Sequence, residues 1–338
     1  MAEVLKRATS TMTRKNRFNV RNFKKSPDAQ AENDTKAVVD IGSNSFKLRV
    51  ARRQKNGLRI LLDITDMVRL GRGLRNGYLE EETIIRGVRV LRRLVRLATD
   101  MGARPRLVGT MALRTAKNAS EFVDRVRKQT GLTIEILSGE EEARLAWRGA
   151  TFGMSAEAGE KVVFDTGGGS TEFVFGSGTK IVRTVSVAVG AVRLTEKFFG
   201  SDPVAPEAVS VAEDYVREMF RAANLVPDGE SLHPAVIGLG GGVVAMASVK
   251  LGATPFNPVK VAGLPLTRSD IDAQVKLYAS LSLAERTKIP GMPARRADLI
   301  LASACIVRCA MEMLGVETFQ TSIDGLRHGL IVEMLNLA

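Results

Sequence analysis

Two phrases about 125 residues apart hold the groups in this chain best suited to chemistry. The first is Ala37-Val38-Val39-Asp40-Ile41-Gly42-Ser43-Asn44-Ser45-Phe46-Lys47-Leu48. The second is Val162-Val163-Phe164-Asp165-Thr166-Gly167-Gly168-Gly169-Ser170-Thr171-Glu172-Phe173. Each is an apolar run ending in aspartate, then a tight turn of small or hydroxylated residues, then another apolar run. That order predicts a hairpin whose turn presents backbone N–H groups beside a carboxylate. Where no Cβ intervenes, several N–H dipoles converge into a nest for anions. Two nests facing each other across a cleft suit a polyanion, and phosphate is the first candidate. Asp40, Asp165 and Glu172 would repel such a ligand unless a cation stood between. Mg²⁺ is the hard cation that bridges carboxylates, water and phosphate. Either turn alone is also what an ordinary polar hairpin looks like; it is the pair that favours phosphate.

The elements that must position these turns can be read from periodicity. Alternation from Lys36 to Arg53 and again from Leu58 to Val68 predicts three strands, and Ile84, Val88, Leu91, Val95 and Ala98 form a helical stripe. A strand at 106–109 follows. A helix opening at Asn118 and Glu121, read as a capping box, stops at Gly131. A strand at 132–137 and a helix at 140–149 end this half, and Thr151–Gly159 is a linker of small residues. The second half begins in the same order: strands at 161–166, 171–176 and 180–187, helices near 190–199 and 206–224, and a strand at 235–239 running into Gly240-Gly241-Gly242. Helices at 268–281 and 296–314, a strand at 316–320 and a last helix from Leu326 complete the chain. A repeat of domain size built from mixed sheets and helices implies an α/β protein of two lobes with a cleft between them.

Length agrees, since 338 residues correspond to about two domains of roughly 150. The boundaries expected are a basic disordered tail at 1–35, an N-terminal lobe at 36–150 and a C-terminal lobe at 151–338, whose last helix can pack back on the first lobe. Of the net charge of +12, half lies in residues 1–30, where eight basic side chains face only Glu3 and Asp28. Such a tail suits polyanions or an anionic membrane surface, reads equally as a solvated extension, and has the Arg and Ser/Thr content of a mitochondrial presequence. No apolar run approaches the ~20 residues of a membrane span. Cys305 and Cys309, four apart in an apolar helical pattern, read as buried thiols, which fits a reducing cytoplasm.

Three segments in order, Asp40-Ile41-Gly42-Ser43-Asn44-Ser45-Phe46, Ser138-Gly139-Glu140-Glu141-Glu142-Ala143-Arg144-Leu145 and Asp165-Thr166-Gly167-Gly168-Gly169-Ser170-Thr171-Glu172, give the chain a family resemblance. From about Lys36 to Leu335 it resembles the exopolyphosphatase and guanosine pentaphosphate phosphohydrolase family. That family shares the duplicated, ribonuclease H-like fold of actin, the heat-shock chaperone ATPases and the sugar kinases. The resemblance implies Mg²⁺-dependent, processive release of terminal phosphate from inorganic polyphosphate, or removal of the 5′-phosphate of guanosine pentaphosphate. It also brings guanosine tetraphosphate as an inhibitor and a homodimer as the assembly, with no specific nucleic-acid partner.

By the same resemblance the general base is Glu141, the first Glu of the Glu-Glu-Ala-Arg-Leu run; on its own, that acidic cluster only complements a helix dipole. Glu140 stands where relatives often have a non-acidic residue, so a neighbour of Glu141 stays open. Asp165 and Glu172, with Asp40, would hold the metal. Phosphate would lie against Gly42, Ser43, Asn44, Ser45, Gly167, Gly168, Gly169, Ser170 and Thr171, with the guanidinium of Arg114. Gly240 and Gly241 occupy the place of the adenosine loop of the wider group. Arg69 and Arg72 are weaker candidates at the same mouth, and His328 stands where Glu is common. Two histidines are too few for the metal-phosphohydrolase domain of longer relatives. A phosphotransferase on the same fold and a non-catalytic polyphosphate or alarmone sensor are the competing readings.

Overall fold

The computed structural model describes residues 34–55, 57–154, 159–226, 234–252 and 254–337. Residues 1–33 of the expected tail, residues 155–158 of the expected linker, and His233 lie outside them. Strands β1 (Thr35–Ile41), β2 (Ser45–Gln54) and β3 (Gly57–Met67) form an antiparallel meander. A small hairpin of β4 (Leu74–Arg75) and β5 (Tyr78–Leu79) leads into α1 (Glu81–Asp100), which buries Ile84, Leu91, Leu94 and Ala98. Then come β6 (Pro105–Gly109), α2 (Met111–Thr115), α3 (Ala119–Thr130), β7 (Ile134–Ile136) and α4 (Gly139–Thr151). The sheet order is β3-β2-β1-β6-β7, with β6 and β7 parallel to β1. The central β1 is apolar on both faces, as a strand covered by helices on two sides must be.

The second lobe repeats this plan. Strands β8 (Glu160–Thr166), β9 (Thr171–Ser177) and β10 (Lys180–Val187) form the meander, followed by α5 (Ala191–Phe198), α6 (Pro206–Ala222), β11 (Ala235–Leu239) and α7 (Gly241–Leu251). β12 (Pro265–Thr267), α8 (Arg268–Ser280), the short α9 (Leu283–Arg286), α10 (Ile300–Met313), β13 (Thr318–Thr321) and α11 (Leu326–Met334) finish it. The sheet order is β10-β9-β8-β11-β13-β12, so its first four strands have the order and directions of β3-β2-β1-β6.

Helices α4 and α11 fill the space between the sheets. Ala143, Ala146, Trp147 and Ala150 of α4 pack on Val163, Val174, Ile237 and Leu239 of the second sheet. Leu145 turns the other way, toward Leu326, Leu330 and Ile331 of α11 and Val38 and Val108 of the first sheet. Gly149 and Gly329 let the two helices cross with their backbones touching, since a Cβ on Gly149 would meet the Gly325 carbonyl and one on Gly329 the Leu145 carbonyl. The N-terminal end of α4 is therefore held at the seam of the lobes. One local expectation fails. Asn118 makes no side-chain cap on α3; its amide instead pairs with both the N–H and the carbonyl of Leu79, tying α3 to the β4–β5 hairpin.

Candidate active site

The two turns face each other. A Cβ on Gly168 would lie 3.3 Å from the Cβ atoms of both Ser43 and Asn44, and one on Gly169 only 3.0 Å from Ser43 Oγ. Both turns close alike: Gly42 donates its N–H to the Ser45 carbonyl at 3.2 Å, and Gly167 to that of Ser170 at 2.9 Å. Among the described residues, the N–H groups of Ser43, Asn44, Gly168 and Gly169 go to no backbone carbonyl. Asn44 is buried, and neither end of its amide has a partner among the described residues. Buried polar atoms are normally paired, so this juxtaposition is suited to an anion. Other expected donors are engaged elsewhere. Thr171 gives its hydroxyl to the Val189 carbonyl at 2.7 Å, and Ser170 gives its own to Glu172.

Carboxylates gather behind the turns. Asp40 and Asp165 end β1 and β8, and their cross-strand partners are Lys47 and Glu172. Lys47 Nζ is 3.5 Å from Asp40 Oδ2. Burial pushes the carboxyl of Asp165 up, as does the charge of Asp40. Burial likewise raises Glu172, together with the charge of Asp165, although Ser186 Oγ donates to it at 3.0 Å.

Of the three acids opening α4, the structure brings Glu142 into this group and not Glu141, the residue expected there. Ser138 and Glu141 form a capping box. Glu141 Oε2 accepts from the Ser138 N–H at 2.8 Å and from its hydroxyl at 2.9 Å, while Ser138 Oγ accepts from the Glu141 N–H at 3.2 Å. Glu141 is exposed, and these hydrogen bonds hold its carboxyl below the usual range. The neighbouring Glu142 is only 15% exposed at its side chain, and its Oε2 is 3.3 Å from Arg114 Nη1. Burial first, then the charges of Glu172 and Asp40, push Glu142 well above an ordinary carboxyl. The sequence held a signal for this division: Ser138-x-x-Glu141 has the spacing that commits an N3 glutamate to its own backbone.

Arg114, at the end of α2, donates to the Leu137 carbonyl at 2.7 Å as well as facing Glu142. Gly240 (φ 109°) abuts the Thr166 carbonyl behind Asp165, a position closed to any Cβ. Gly241, an expected phosphate contact, is covered by the guanidinium of Arg296. Arg69 and Arg72 bond Asp298 across the cleft, at 3.1 and 3.0 Å. His328 lies outside the carboxylate group: its Nδ1 is 3.1 Å from Asp324 Oδ1 and 3.1 Å from Arg49 Nη1. Lys47, Arg296 and Asp298 are the residues of this region that motif reading missed, while Glu142 is one of the two neighbours of Glu141 that it left open.

Among the described residues no three His, Cys, Asp or Glu side chains converge as a metal cage. The donor set nevertheless fits a hard cation held by one or two carboxylates and completed by substrate and water, as Mg²⁺ usually is. Asp165 lies close enough to Asp40 to feel its charge, and Glu172 close enough to feel that of Asp165.

Three solved structures resemble the chain. The Aquifex aeolicus member of the Ppx/GppA protein family is 32% identical, with a TM-score of 0.76 over 89% of this chain and 98% of that one. An exopolyphosphatase-like protein is 26% identical, with a TM-score of 0.82 over 88% and 97%. An exopolyphosphatase from Cytophaga hutchinsonii is 23% identical, with a TM-score of 0.81 over 90% and 99%, a likeness of fold. The fold is thus the two-lobe actin-like one. Residues 49–338 match the Ppx/GppA phosphatase family, and the chain belongs to that family.

Proposed function

We propose that this phosphatase is a Mg²⁺-dependent exopolyphosphatase that removes terminal phosphate from inorganic polyphosphate, with Glu142 as its general base. The placement of Glu142 carries the reading: a largely buried carboxylate at the lobe seam, raised toward protonation, facing Asp40 and Glu172 and steadied by Arg114. Ser43, Asn44, Gly168 and Gly169 supply N–H donors for the oxygens of the terminal phosphoryl group. Glu142 takes a proton from the attacking water as the new P–O bond forms. The bridging P–O bond breaks, and its electron pair leaves with the shortened chain. Asp165 and Glu172, with Asp40, would hold Mg²⁺, which when bound supplies charge neutralisation between these carboxylates and the substrate oxygens. Raised carboxyls at this place support that role, because a cation among them removes the repulsion.

The test is hydrolysis by the purified protein of polyphosphate and guanosine pentaphosphate in one mixture with Mg²⁺. The expected result is a kcat/KM at least about tenfold higher for polyphosphate. The opposite ratio reassigns the site to the nucleotide. Tight binding of either without release of orthophosphate makes the protein a sensor.

A further inference from the structure

We infer that Asp298 is a built-in competitor for a second anion subsite, formed by Arg69 and Arg72 at the cleft mouth, which takes the distal phosphoryl groups of an extended substrate. The inference rests on the polyphosphate reading above. Both guanidinia come from the first lobe and the carboxylate from the second. Arg69 Nη2 and Arg72 Nη2 converge on the same oxygen, Asp298 Oδ2, at 3.1 and 3.0 Å. The other oxygen, Oδ1, is buried and has no partner among the described residues. One carboxylate oxygen thus serves two cations, while its twin bears the cost of an unmade hydrogen bond. A phosphoryl group offers each guanidinium its own oxygens and a larger charge, which makes it the better occupant.

The loop bearing the two arginines is fastened to the first turn. The N–H of Arg69 bonds the Asn44 carbonyl at 2.8 Å and that of Gly71 the Ser43 carbonyl at 2.6 Å. Arg69 is thereby held at φ 57°, a left-handed conformation that a non-glycine residue adopts only when its surroundings impose it. Asp298 lies two residues from Arg296, whose guanidinium covers Gly241. The bridge therefore links the first phosphate turn to the Gly240–Gly241 turn of the opposite lobe. A single orthophosphate held between Ser43–Asn44 and Gly168–Gly169 leaves it intact, whereas a longer chain passing the mouth displaces Asp298 and takes over the arginines.

The experiment is calorimetric titration of full-length protein with tripolyphosphate and with orthophosphate, in a Glu142→Gln background that slows turnover. Adding Asp298→Asn should tighten tripolyphosphate by about fivefold or more while shifting orthophosphate by less than about twofold. Unchanged or weaker tripolyphosphate binding in the folded variant overturns the inference. If Asp298→Asn does not fold, the double variant Arg69→Gln/Arg72→Gln decides. It should weaken tripolyphosphate at least about tenfold and spare orthophosphate; equal loss for both ligands, or none, overturns the subsite. No tripolyphosphate binding even in the Glu142→Gln parent, with the wild type also inert toward polyphosphate, defeats this inference and the functional reading together. Binding or turnover there with no effect of Asp298 or the arginines defeats the subsite alone.

Discussion

The first hairpin turn and the second have the same strand directions, the same closing hydrogen bond and the same aspartate, but differ in the residue that stands across from that aspartate. Where the first pairs Asp40 with Lys47, the second pairs Asp165 with Glu172. The first is a salt bridge of 3.5 Å; the second sets two carboxylates side by side. Like charges directly opposite on a sheet are destabilising, and burial makes them more so. Such a pair persists where a proton or a cation shares it; burial raises both carboxyls, with the charge of Asp40 adding to the rise of Asp165 and that of Asp165 to the rise of Glu172. The two similar hairpins thus differ in charge at the aspartate: a lysine stands across from the first and a glutamate across from the second.

The largest effect is expected at Glu142, which feels both hairpins. Glu142→Gln should lower kcat by about 10²–10⁴-fold, the usual cost of losing a general base. Glu141→Ala should stay within about threefold of wild type, because its side chain caps a helix, and should instead lower stability by about 0.5–1 kcal/mol through loss of the capping box. Steady-state kinetics and thermal melts on the pair separate the two roles. A Glu141 variant that loses activity as Glu142→Gln does would return the base to the residue the sequence motif favoured.

A smaller effect tests the asymmetry itself. Asp165→Asn and Glu172→Gln should each raise the Mg²⁺ concentration for half-maximal activity, by about tenfold, because the cation loses a charged neighbour. Lys47→Gln should shift it downward or leave it, since Asp40 then has a negative charge to share. Equal upward shifts from both hairpins would show that the difference at this position does not govern the metal. Activity persisting in EDTA would remove the metal from the mechanism.

Much of this architecture was legible in the chain. The duplication, the meanders and both turns follow from alternation and glycine placement, because hairpins are encoded locally. The contents of the cleft were not all legible, because they depend on which way single side chains point. Glu140, Glu141 and Glu142 are chemically alike. Only the crossing of α4 between two sheets, with Ala143, Ala146 and Trp147 turned to the second sheet, decides which of them enters the cleft. Asp298 lies more than two hundred residues from Arg69 and Arg72, and nothing local announces that contact. Asn118 illustrates the reverse error: its spacing to Glu121 suggests a cap, but the tertiary partner Leu79 claims its amide.

The smallest effect concerns how the first hairpin is tied to the second lobe. Arg49, two residues beyond Lys47 on β2, is buried and bonds Asp63 at 2.9 Å and Asp324 at 2.6 Å. Asp324 precedes Gly325, whose position is 3.5 Å from Asp165 Oδ2 when a Cβ is placed on it, so this clamp sits directly behind the second aspartate. Burial opposes the charge on Asp324, but the hydrogen bond from His328 and the guanidinium of Arg49 outweigh it and bring its carboxyl to about 2. Its value in an unfolded chain is about 3.9, so protons bind the unfolded state more readily and folding gains from the charged form above that pH. The contribution is complete above about pH 4 and is lost as pH falls through about 2. With its side chain 38% exposed, solvent screening reduces that gain to about 1 kcal/mol. Asp324→Asn should therefore lower Tm by about 1–2 °C at pH 7, with Asp63 still neutralising Arg49. The gap between wild type and variant should narrow progressively between about pH 4 and pH 2. A gap that stays constant over that range would mean that Asp324 holds the lobes together by packing rather than by charge.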